Sequence, residues 1–103
     1  MRDTDKNGEN KMPKLSTKDL ILVFFETLSA RCWARLGLTV DEYGEMKQDL
    51  NEARIAIDVL DKIVEGLEGK IEEELIKEMR GVISNLKLNY VNQYEKNKKR
   101  SEN

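Results

Sequence analysis

Asp58, Asp61 and Glu65 follow one another at spacings of three and four, which stacks three carboxylates on neighbouring turns of a helix. Oxygen clusters of that kind hold Mg²⁺, whose octahedral shell takes one or two carboxylates and several waters. Glu42 and Glu45 add an acidic pair upstream, and residues 38–69 carry nine acids against three bases, a net charge of −6. Arg54 and Lys62 are interleaved with these acids, and charges lying between apolar stripe positions ordinarily form a solvated face. No metal site and no cofactor is expected. Glu72, Glu73, Glu74 and Glu78 form a second cluster. It is expected to complement the positive end of a helix and to make i,i+4 contacts, favourable for Glu73 with Lys77 and mildly repulsive for Glu74 with Glu78.

Nucleophilic chemistry has little to work with. There is no histidine, and Cys32 is the single cysteine. The commonest general base, the commonest zinc ligand and every Cys–His pair are therefore excluded. Cys32 beside Trp33 reads as a small buried hydrophobe, and Arg31 and Arg35 as an edge of the same helix or as partners of the acidic middle segment. No catalytic residue is expected. At the other end, Lys96, Lys98, Lys99 and Arg100 outweigh Glu95 and Glu102, giving residues 92–103 a net charge of +2. Such a tail can contact nucleic-acid phosphates, and Tyr90 and Tyr94 stand close enough to stack on bases. Both tyrosines also fall on a helical stripe, where packing into the core is the ordinary role.

The elements that would position these groups are helical. With 103 residues the chain is one domain long; it has one proline, 37 % charged and 39 % hydrophobic residues, and no strand pattern that survives a test for alternation. Residues 1–15 are expected as a disordered arm, 16–95 as a helical domain and 96–103 as a disordered basic tail. Ser16 and Asp19 suit the start of a first helix running to Leu36, with Gly37 as its left-handed stop. A connector, 38–48, holds the turn-forming Asp41-Glu42-Tyr43-Gly44. Asp49 and Glu52 then cap a second helix with apolar residues at 53, 56, 57, 60, 63, 64 and 67, the stripe of an amphipathic helix. Gly69 ends it, and two or three residues later a third helix begins near Ile71, so the pair must form an antiparallel hairpin. The stripe of helix three is Leu75, Met79, Val82 or Ile83, Leu86, Tyr90 and Tyr94, with Gly81 inside it as a candidate close crossing. The fold class is all-α: helix one plus a helical hairpin, completed as an intersubunit bundle.

Leu36-Gly37-Leu38, Asp49-Leu50-Asn51-Glu52-Ala53-Arg54, Ile57-Asp58-Val59-Leu60 and Leu86-Lys87-Leu88-Asn89-Tyr90-Val91 together resemble a family of small bacterial helical proteins known as domain of unknown function 1844. The resemblance spans Leu20 to Val91. This chain has Gly69-Lys70-Ile71-Glu72 where the family tends to carry Gly-Asn-Leu-Ser/Thr, and Lys87 where it tends to carry Arg. The resemblance implies a short helical fold and brings no activity, substrate or site residue.

Helix one poses the functional question. Leu20 to Phe25 are six consecutive apolar residues, which at 100° each cover every direction around the axis. A two-helix hairpin covers about half that circumference, and soluble monomers rarely carry the remainder as an exposed patch. A homo-oligomer follows as the expectation, a dimer or a tetramer, with Leu20, Ile21, Phe24, Phe25, Leu28 and Trp33 at the interface. The six-residue run is far short of the ~20 that span a membrane, and the polar first fourteen residues lack the core of a secretory signal, so a cytosolic setting is expected. The leading reading is a non-enzymatic protein–protein interaction module; the second is a nucleic-acid- or ribosome-associated accessory using the basic tail. The acidic pattern is also similar to that of the all-α nucleotide pyrophosphohydrolases, in which paired acids hold Mg²⁺, and a small Mg²⁺-dependent enzyme is the third.

Overall fold

The computed structural model describes residues 14–102, with side chains as far as Ser101. The expected N-terminal arm therefore lies almost wholly outside the described residues. Three helices follow in order, α1 (Thr17–Arg35), α2 (Leu50–Leu67) and α3 (Glu73–Glu102).

The helix ends obey local chemistry. Ser16 Oγ accepts from the Asp19 N–H at 3.0 Å, satisfying one of the orphan donors of α1. At the other end the Gly37 N–H donates to the Ala34 carbonyl (3.0 Å) and the Leu38 N–H to that of Trp33 (3.2 Å), with Gly37 at φ +85°. These are the paired bonds of a Schellman stop, which needs a residue that tolerates the left-handed region. Asp49 caps α2 by accepting from the Glu52 N–H at 3.1 Å. Five residues, 68–72, link α2 to α3, somewhat more than expected, and α3 starts two residues after Ile71.

Packing makes α2 the centre. Its stripe is buried as expected through Ala53, Ala56, Ile57, Leu60, Val64 and Leu67, with Ile63 partly covered. α3 returns along it as an antiparallel hairpin, contributing Ile76, Met79, Ile83 and Leu86. α1 also runs antiparallel to α2: the Cys32 thiol donates to the Ala53 carbonyl (3.4 Å), the Asp49 N–H donates to the Arg35 carbonyl (2.8 Å), and Lys18 reaches Glu72 at 3.8 Å. α1 and α3 touch only sparsely. The radius of gyration is 17.8 Å, well above the ~13 Å of a compact chain of this length.

Three expectations need correction. The basic segment is not unstructured, since α3 continues through Lys96, Lys98, Lys99 and Arg100 to Glu102. Its Lys, Arg and Glu residues are good helix formers, no Gly or Pro stands among them, and Lys99 and Arg100 in the last turn complement the negative helix end. Gly81 marks no crossing: it is exposed, with nothing within 4 Å of where a Cβ would stand. Tyr94 is exposed rather than in the core, stacked on the half-buried Tyr90 with ring centroids 6.2 Å apart.

Candidate interaction surface

The apolar run at the start of α1 divides by direction. Phe25 turns into the chain's own core and is only 5 % exposed, so it is withdrawn from the interface expected for it. Six apolar residues in a row carry no directional signal, and the side that meets α2 takes Phe25, Cys32 and Leu36. Ile21, Leu22, Leu28 and Trp33 are partly buried against that core. Leu20 and Phe24 remain in solvent at 41 % and 55 % exposure, with Val23 beside them.

Two further residues escape a reading of sequence alone. Ile55 and Val59 lie on α2 off its buried stripe, 60 % and 44 % exposed. The signal was present, because an apolar pair at i,i+4 outside the core face of an amphipathic helix has no intrachain partner to explain it. On α3, Leu88 and Val91 are likewise exposed.

The connector after α1 is held by charge. The Asp41 carboxylate accepts from the Tyr43 and Glu45 N–H groups (2.9 Å each) and from Arg35 Nη2 (3.0 Å). The Glu45 N–H bond above all, aided by the Arg35 guanidinium, holds the Asp41 carboxyl below the usual carboxylate range. Arg31 pairs with Glu42 and lowers its carboxyl in the same way, while its own guanidinium is raised. Both arginines thus serve the acidic middle segment. Val40, Asp41 and Glu42 of the connector line a shallow groove with Thr27, Ala30 and Arg31 of α1.

Several of the acids whose spacing suits Mg²⁺ are engaged in ion pairs. Asp61 pairs with Lys87 of α3 at 3.0 Å and Glu65 with Lys62 at 3.4 Å, while Glu42 is held by Arg31. Among the described residues no group of three acid or sulfur side chains comes together to hold a metal ion. Glu73 and Glu74 occupy the first turn of α3, at the positive end of its dipole. Cys32 is fully buried, and burial pushes its thiol up to about 11, far from a reactive thiolate.

The basic segment forms part of a second surface. Lys96 and Lys99 line a shallow groove with Leu38, Asn89, Asn92, Gln93 and the acidic Glu95. Arg100 lies one step from Lys99 on the same side of the helix, and Lys98 points away from it. Among the described residues no helix is long and apolar enough to cross a membrane.

A family model described as a domain of unknown function, DUF1844, matches residues 18–92, which takes in α1, α2 and two thirds of α3. No curated protein and no solved structure matches the chain.

Proposed function

This chain belongs to the DUF1844 family, and we propose that it is a non-enzymatic helical interaction module that assembles with copies of itself. The observation that carries the reading is the residue of apolar surface on α1. After α2 and α3 have packed, Leu20, Val23 and Phe24 still face water. Each exposed Leu or Phe forgoes about 1.5–3 kcal/mol of burial, and a contiguous patch of this kind marks an interaction site. A cytosolic setting is supported by the single cysteine, held as a buried thiol. Light scattering coupled to size exclusion at micromolar concentration tests the assembly. A mass near twice 12.0 kDa or higher is expected, and a sharp peak at the monomer mass overturns the reading.

A second reading, nucleic-acid association, is favoured by the helical form of the basic segment, which sets Lys96, Lys99 and Arg100 on one side of α3. Its signature is RNA affinity that falls steeply with salt and disappears when Lys96, Lys98, Lys99 and Arg100 are replaced by Gln.

A further inference from the structure

The three helices leave three long grooves, and each has a different character. The α2/α3 groove is closed by ion pairs, Asp61 with Lys87 and Glu68 with Arg80. The α1/α3 groove, lined by Leu22, Leu75 and Val82, also carries Glu26 and Glu78, two like charges that disfavour an acidic visitor. Among the described residues no ion pair crosses between α1 and α2. Leu20 and Phe24 of α1 and Ile55 and Val59 of α2, all exposed, lie on that third side. At 100° per residue Val59 stands about 160° around α2 from Asp61, the residue that faces α3, and Phe24 about 160° around α1 from Leu22. The antiparallel level set by Cys32 against Ala53 puts Phe24 beside the turn of α2 that carries Val59.

We infer that a second copy of this chain docks along the outer ridge of α2, antiparallel to it, with Ile55 and Val59 at the centre and Phe24 and Leu20 of α1 at the side. The inference rests on the self-association reading and names its surface and its partner. Glu52, Ile55, Val59, Lys62 and Gly66 succeed one another at spacings of three and four, so they form one continuous ridge. A two-fold axis through the level of Ile57 places Ile55 against the partner's Val59. That same register sets Glu52 against the partner's Lys62, and symmetry repeats each contact. One register therefore satisfies both the apolar and the charged positions, as an isologous interface requires. Glu52 has no ion-pair partner within the described chain, and Lys62 has only the exposed Glu65. The area is also suitable. Leu20, Phe24, Ile55 and Val59 leave on the order of 400 Å² in water, close to the apolar share of a standard interface of about 800 Å² per partner.

Light scattering on the full chain tests the ridge, with circular dichroism to confirm unchanged helix content, since every position altered is exposed. Ile55→Glu and Val59→Glu are each expected to give a 12.0 kDa monomer, whereas Leu88→Glu on the back of α3 leaves the dimer intact. Glu52→Lys turns two attractions into two repulsions and is expected to raise the dissociation constant about tenfold or more; adding Lys62→Glu restores it to within about threefold. A chain that dimerises regardless of Ile55→Glu and Val59→Glu but falls apart with Phe24→Glu or Leu88→Glu overturns the ridge and leaves self-association standing. Failure of the Glu52/Lys62 double exchange to restore affinity overturns the register. A wild-type monomer at 100 µM overturns the self-association reading, and the ridge with it.

Discussion

The Gln48 amide donates to Gln93 Oε1 at 3.1 Å, tying two residues 45 positions apart and clamping the far half of α3 to the end of α1. The same Nε2 also donates to the Leu36 carbonyl at 2.9 Å, one of the acceptors a helix end leaves open, and Gln48 Oε1 accepts from Asn97 Nδ2 at 2.8 Å. Gln93 is buried, and an amide so placed must be bonded. Gln48→Ala leaves Gln93 and the Leu36 carbonyl without this donor and should cost about 1–3 kcal/mol. Hydrogen exchange should show the loss concentrated beyond residue 92, with the α2/α3 hairpin protected as before. Uniform loss of protection along the chain would contradict a local clamp.

The Asp41 loop makes the fold sensitive to acid. Its carboxyl is held below the ordinary value in the folded chain, so near pH 4 the unfolded state binds more protons than the folded one. Stability from this group is therefore fully present above the unfolded value of about 3.9 and is lost as pH falls through the lower, folded value. Glu42 acts in the same direction through Arg31. The melting temperature should be level from pH 7 to about 5 and fall below about 4. Asp41→Asn should lower the neutral plateau and flatten the acid limb. An acid limb as steep as that of the wild type would place the sensitive group elsewhere.

Cys32 should be inert while the chain is folded. The thiol is wholly buried, raised to about 11 by that burial, and engaged with the Ala53 carbonyl. Alkylation by iodoacetamide at pH 8 should be at least a hundredfold slower in buffer than in 6 M guanidinium, because it waits for opening of the α1–α2 contact. Comparable rates in the two solvents would mean that α1 detaches readily.

Much of this architecture was legible because its signals are short. Ser16, Asp49, Gly37 and Gly69 act within one turn of the residues they cap or stop, and the α2 stripe is a pattern of period 3.6 that needs no knowledge of its partner. The parts that were not legible depend on distant partners. Gln93 and Asn97 continue the buried row of α3 past Leu86, but being polar they break the apolar pattern, and the residue that satisfies them lies before α2. Phe25 and Phe24 are neighbours of the same type, and only the direction from which α2 approaches sends one inward and leaves the other in water. For the candidate surface, half of the side chains could be anticipated from α1; Ile55 and Val59 carry a weaker signal, an apolar i,i+4 pair on the side of their helix opposite the dominant stripe.

Two glycines should respond to alanine with opposite signs. Gly37 stands at φ +85°, and a Cβ there would lie 3.0 Å from Gln48 Cβ and 3.1 Å from Gln48 Nε2. An L side chain in the left-handed region costs roughly 1–2 kcal/mol, and the displaced Gln48 would also strain its bonds to Leu36 and Gln93. Gly37→Ala should thus lower the melting temperature by about 4–8 °C per kcal/mol lost. Gly81 lies inside α3 with an ordinary helical backbone and no described atom within 4 Å of its missing Cβ. Glycine there only adds freedom to the unfolded chain, so Gly81→Ala should stabilise by about 0.5–1 kcal/mol. Thermal melts of the two variants at equal concentration, needed because assembly makes the midpoint concentration-dependent, read both signs at once. Destabilisation by Gly81→Ala would reveal a partner packed on that side of α3, a face that the α2 ridge leaves free.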